Sequence, residues 1–199
     1  MSTNGVRLRL GLVAALPLLM SACAIGPVGA PHTWLDERTA ATVTAQEPGV
    51  VFAHEDQVRA INVRDYVQVG AAEVNRAGSR AYYLVLISWS TIDRSAAERA
   101  ALDSELARST LWADDRPIEL RRIPDGRVAA GVSGAPYVAP APAAIESWYP
   151  ITLNEIQSLA RARTLSLTAQ AGEKPRSYLP WQADSGGFAG FLQHTAHPR

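Results

Sequence analysis

Four places in this 199-residue chain bring together side chains whose types and spacing could carry out chemistry. Gly131-Val132-Ser133-Gly134-Ala135 sets a serine between small residues, the spacing of a nucleophile elbow that presents a hydroxyl on a sharp strand-to-helix turn. Ala135 stands where the last glycine belongs, and Pro136 and Pro140 oppose a clean helix start, so Ser133 reads as a loop serine. His194 and His197 are spaced to share a helix face and chelate a metal, but no acid or thiol lies beside them. Neighbouring acids at Glu55-Asp56 and Asp114-Asp115 would point to opposite faces of a strand, and they suit turns better than a catalytic or calcium site. His32 and His54 join neither group. The expectation is no catalytic residue, no metal and no cofactor. Phosphate-loop and dinucleotide-binding fingerprints are absent from the sequence.

The clearest chemistry belongs to Cys23, the only cysteine. Arg7 and Arg9 precede an apolar run from Leu10 to Met20, and small Ser21 and Ala22 follow it. As a helix that run rises about 16 Å, too short for a hydrocarbon core of ~30 Å. A positive start, a short apolar middle and a small-residue exit form an export signal. Met20-Ser21-Ala22-Cys23 resembles the lipobox of bacterial lipoproteins, with Met20 where that family prefers Leu. The resemblance implies removal of residues 1–22 as a signal peptide and a diacylglycerol and palmitate anchor on Cys23. Ala24 after the cysteine implies the outer membrane side of the cell envelope and periplasm. Two other readings of the same residues are a plain secretory signal cut after Ala22 and an uncleaved anchor. Gly26, Pro27, Gly29 and Pro31 interrupt the second.

Composition narrows the partners. Nineteen basic residues balance nineteen acidic ones, which argues against nucleic acid, whose binders carry a basic surplus. The expected partners are the lipid bilayer, through acylated Cys23, and another envelope protein or glycan.

The elements that would position any site are read from pattern. Residues 23–46, rich in Ala, Gly, Pro and Thr, read as a flexible tether, and 47–195 as a single globular β-rich domain. Arg80 to Thr91 is a strand apolar on both faces, entered from a preceding strand through a hairpin loop at 75–79. Ser95 with Glu98, and Thr152 with Glu155, are capping boxes that open helices, the second with an Ile151–Ile156 staple and an apolar face of Leu153, Ile156, Leu159 and Ala160. Asp114-Asp115 turns one hairpin, residues 131–147 form a loop, Thr164 to Ala169 pairs with Ser177 to Trp181, and a short helix or lid spans 187–193. The fold class is α+β: a β-rich antiparallel sheet or sandwich-like domain with two or three short helices.

Aromatic side chains at strand ends can plug a core or line a recognition groove. Trp148 and Tyr149 are the candidate partner surface. With no legible active site, the expected function is a non-enzymatic binding or assembly-support module anchored in the envelope. The alternative is an envelope hydrolase whose site is scattered in sequence.

Overall fold

A computed structural model describes residues 30–47, 49–56, 63–170, 174–182 and 186–196. The signal segment, Cys23, residues 24–29, residues 57–62 and His197 lie outside the described residues. From the N-terminal side, β1 (His32–Asp36), β2 (Ala41–Ala45) and β3 (Val50–Asp56) precede a long hairpin of β4 (Val63–Arg76) and β5 (Ser79–Ser90). Helix α1 (Ala96–Leu106), the hairpin β6 (Arg108–Ala113) and β7 (Arg116–Arg121), and the single turn α2 (Gly126–Ala130) follow. Then come β8 (Ile145–Ile151), α3 (Leu153–Arg161), β9 (Leu165–Ala169), β10 (Arg176–Gln182) and α4 (Gly186–Ala196). The class is α+β, an open and mostly antiparallel sheet with four helices among the described residues.

The β4–β5 hairpin is the spine. Its two-residue turn, Ala77-Gly78, has φ of 49° and 89°. Both values are positive, as a type I′ turn requires, and such a turn matches the right-handed twist of the flanking strands. Asn75 Oδ1 accepts from Gly78 N at 3.0 Å, closing the turn. One edge of β4 carries two strands end to end, β3 along residues 63–69 and β2 along 72–75. The other edge is filled by β5, which in turn pairs with β8. The sheet continues from β3 through β10, β9 and β6 to β7.

The segment expected as a tether is ordered sheet from residue 32 onward. β1 pairs with β2 and β2 with β4, and Ala41, Val43 and Ala45 are fully buried. Short Ala/Thr/Val strands carry little hydrophobicity of their own. Their burial depends on a β4 edge some thirty residues away, which local composition does not reveal.

Alternation along β4 sends Val67, Val69 and Ala71 to one face, where they join Leu84, Leu86, Leu111, Leu167, Tyr149 and Tyr178 in the main core. Leu102 and Leu106 of α1, Ile156 and Leu159 of α3, and Phe188 and Phe191 of α4 complete it. A second core on the opposite face holds Val43, Val74, Val85, Ile87 and Trp148 under Ala130, Val132 and Tyr137. Tyr137 lies so close over Gly70 that a Cβ there would stand 2.4 Å from its hydroxyl, which is why this position is glycine.

Both capping boxes form: Ser95 accepts from Glu98 N, Thr152 accepts from Glu155 N, and each glutamate returns a bond to its cap residue's N–H. Leu153, expected on the buried face of α3, is 36% exposed; Ile156 and Leu159 are fully buried in the core, and Ala160 packs against it half-buried.

Candidate functional site

The sequence candidates are dispersed. Ser133 N and Oγ donate to the two carboxylate oxygens of Asp36, at 2.5 and 2.7 Å. His54 Nδ1 meets the Ser177 carbonyl at 2.8 Å, and His194 Nε2 meets Thr33 Oγ1 at 2.9 Å. His54 is thus bonded to β10 and His194 to Thr33 of β1, and Ser133 pairs with the Asp36 carboxylate. Asp114 accepts from Arg163 N and Thr164 N and Oγ1, bonds that lower its pKa, so this acid ties a turn to the start of β9. Glu55 pairs with Arg64. Among the described residues, no three His, Cys, Asp or Glu side chains converge as a metal site would need.

Asp36 fastens the 131–144 loop to β1. Ser133's backbone bond is the first cause that brings its pKa from 3.8 down to about 2, and Ser133's hydroxyl is the second. A folded-state pKa below the unfolded one contributes stability that is complete above the unfolded value and lost as pH falls through the folded one. Asp36→Asn should therefore remove part of the acid sensitivity between pH 3.8 and about 2. Urea midpoints of the two proteins would converge over that interval. An unchanged separation across it would show that Asp36 is not the group that titrates.

Trp148 and Tyr149, the candidate partner surface, are both fully buried. Strand β8 is covered on both faces. Trp148 points into the second core, edge-on to Tyr83, and Tyr149 points into the main core, where its hydroxyl donates to the Leu106 carbonyl at 2.7 Å. Burial pushes the Tyr149 phenol up to about 12. Neither side chain is therefore exposed to a partner.

The exposed aromatic surface lies on the outer face of β5, β4 and β10. Since Val63, Asp65 and Val67 are buried, Arg64 and Tyr66 face outward. Register places Trp89 directly opposite Tyr66, and the rings stack at 5.3 Å between centroids. Register shifts between Pro180 and Gln182, and Trp181, in that irregularity, meets the Tyr66 ring edge-on at 5.7 Å. Arg64 lies 4.7 Å over the Trp181 ring while Nε and Nη2 each reach Glu55 Oε1 at 2.8 Å. Trp181 is 48% exposed and Leu179 is 65% exposed.

Beneath this patch lies a buried ion network. Asp65, between Arg64 and Tyr66 in sequence, has a fully buried side chain. Arg94 Nη2 donates to both its oxygens at 2.8 Å, and Arg176 Nη1 to one at 2.9 Å. Arg176 Nε also lies 3.1 Å from Glu105 Oε2. The network ties β4, the approach to α1, α1 itself and β10 together. Those include two of the three strands that carry the patch, so the aromatic rings stand on a rigid base.

Sequence reading missed Tyr66, Arg64 and the bulge at Trp181. Their signal was one of register: only the pairing of β5, β4, β3 and β10 brings residues 89, 66 and 181 together. No protein-family model, curated protein or solved structure matches this chain, so the meaning of the patch rests on its own geometry.

Proposed function

We propose that this protein is a lipid-anchored component of the cell envelope, held in the outer membrane through Cys23, that binds a partner protein and does not turn over a substrate. The observation that carries this reading is the patch of Trp181, Leu179, Tyr66, Trp89 and Arg64 on an ion-braced sheet face. Trp, Tyr and Arg are the residues that dominate binding energy at protein interfaces, because they offer large, rigid area with a polar handle. A glycan would need an open ring face. Here Trp89 stacks on Tyr66, Trp181 abuts it edge-on, and Arg64 lies over Trp181. That favours a protein partner over a sugar. The sandwich-like description belongs to the same proposal, supported by side chains from β3, β4, β5 and β8 sharing a core with those from β6, β7, β9 and β10.

Two experiments test it separately. Cys23→Ala should abolish labelling by clickable palmitate and leave an unprocessed precursor; equal labelling of both proteins would remove the anchor from the proposal. A photo-crosslinker at Leu179 should give one discrete adduct in the native envelope. Trp181→Ala should reduce it at least about thirtyfold, the effect of a hot spot of roughly 2 kcal/mol, without lowering the melting midpoint. An adduct unaffected by Trp181→Ala would refute the patch as the interface. Loss of function from His54→Ala or Ser133→Ala, with partner binding intact, would replace this reading with the hydrolase.

A further inference from the structure

Beside the patch, on the far side of Trp89, the sheet has a gap. Strand β8 pairs with β5 only as far as Ser88 opposite Ile145, so the last rungs of β5 lack a neighbour on that edge. The loop around Ala141, Pro142 and Ala143 crosses the gap without filling it, and a hollow of about 390 Å³ remains. Its walls are Trp89, Ile92, Leu102, Pro142 and Ile145. The size falls at the small end of ligand pockets, roughly 300–1,000 Å³, and an apolar lining with few polar groups is their usual character.

The charged groups of its lining are Arg94, Arg99 and Asp93. Arg94 and Arg99 both line the hollow, but they differ in what holds them. Arg94 is committed to buried Asp65. Arg99 donates to the Arg94 carbonyl and lies 3.6 Å from Asp93, whose side chain is 94% exposed. An ion pair that loose and that wet holds a guanidinium weakly, and a guanidinium carries five N–H donors in a fork that matches one carboxylate.

We infer that this hollow binds a medium-chain carboxylic acid, with its acyl tail against Trp89, Ile92 and Ile145 and its carboxylate on the Arg99 fork. Charge selects this occupant. A single carboxylate would take the place of the loosely held Asp93 on Arg99, charge for charge, whereas a doubly charged phosphate would leave an unbalanced negative charge there. Volume selects a single short chain over a two-chain lipid. The hollow shares Trp89 with the partner patch, but Trp181 and Leu179 line no part of it.

Calorimetric titration of the full chain with hexanoate, octanoate and octanol tests the assignment. Affinity should rise about fourfold for each added methylene, the fold-change for burying one such group, and octanoate should bind at least tenfold more tightly than octanol. Arg99→Gln should abolish that preference and leave octanol binding unchanged. Ala143→Phe, at an exposed loop position, should fill the hollow and remove binding of both. Trp181→Ala should leave octanoate binding intact, which separates this site from the interface. Octanol binding as tightly as octanoate, or octanoate binding that survives Ala143→Phe, would overturn the proposal.

Discussion

Arg94→Ala is expected to destabilise the protein by roughly 3–5 kcal/mol, the cost of breaking a buried pair from one side. The reason is what it leaves behind. Asp65 is wholly buried, and Arg94 supplies bonds to both of its oxygens. Without them one buried carboxylate depends on Arg176 alone, which also serves Glu105. Removing both partners with apolar replacements, Asp65→Leu with Arg94→Met, should recover most of the loss, because no uncompensated charge remains. Urea unfolding of Asp65→Leu, Arg94→Met and the double variant measures this as a coupling energy. A single variant within about 1 kcal/mol of the parent would show that water reaches Asp65 and that the network is not the brace beneath the patch.

Trp148→Ala should cost a further class of stability, roughly 3–5 kcal/mol, through a cavity in the second core. Trp148 is fully buried, edge-on to Tyr83 at 5.4 Å, and its Nε1 donates to Glu146 Oε1 at 2.8 Å. Gly126 of α2 sits over it, close enough that an added Cβ would touch Cδ1 at 3.4 Å. For a domain of this size each kcal/mol moves the melting midpoint by about 2–4 °C, so a fall of roughly 6–20 °C is expected. The contrast with Trp181→Ala is the informative part: one tryptophan should change melting, the other only binding. A Trp148→Ala protein that melts with the parent would mean that α2 and the 131–144 loop do not cover β8.

How much of this was legible depends on how far apart the cooperating residues lie. Capping boxes at Ser95 and Thr152, a hairpin loop within 75–79 and the turn at 114–115 are decided within a few residues, and the sequence shows them. Trp148 and Tyr149 misled because alternation along one strand reports which residues share a face and says nothing of what covers each face. On β8 both faces are covered, one by elements that are themselves weakly patterned. Helix α2 is five residues without a side-chain cap, opened by Asp125 at φ 57°, and offers no local signal. Strands β1 and β2 are visible only from the β4 edge that receives them. The patch and the ion network are the extreme case: residues 64, 66, 89 and 181, or 65, 94 and 176, meet only once four strands are in register.

The spine hairpin has a consequence for how the chain comes into being. Strands β1, β2 and β3 all precede β4, yet β2 and β3 bind its edge and β1 binds β2. During vectorial synthesis they emerge before the surface that receives them exists. At about 5–20 residues per second, the interval between Ala45 and Ser90 lasts roughly 2–9 s. Over that time the two edges of β3, with Val50 and Phe52, stay open to other chains. Once Ser90 is out, β4 and β5 can close around a two-residue turn in about 1–10 μs. The exposure of β1, β2 and one edge of β3 is therefore timed by the arrival of β4 and β5, while the other edge of β3 stays open until β10, more than eighty residues later in the chain, is made.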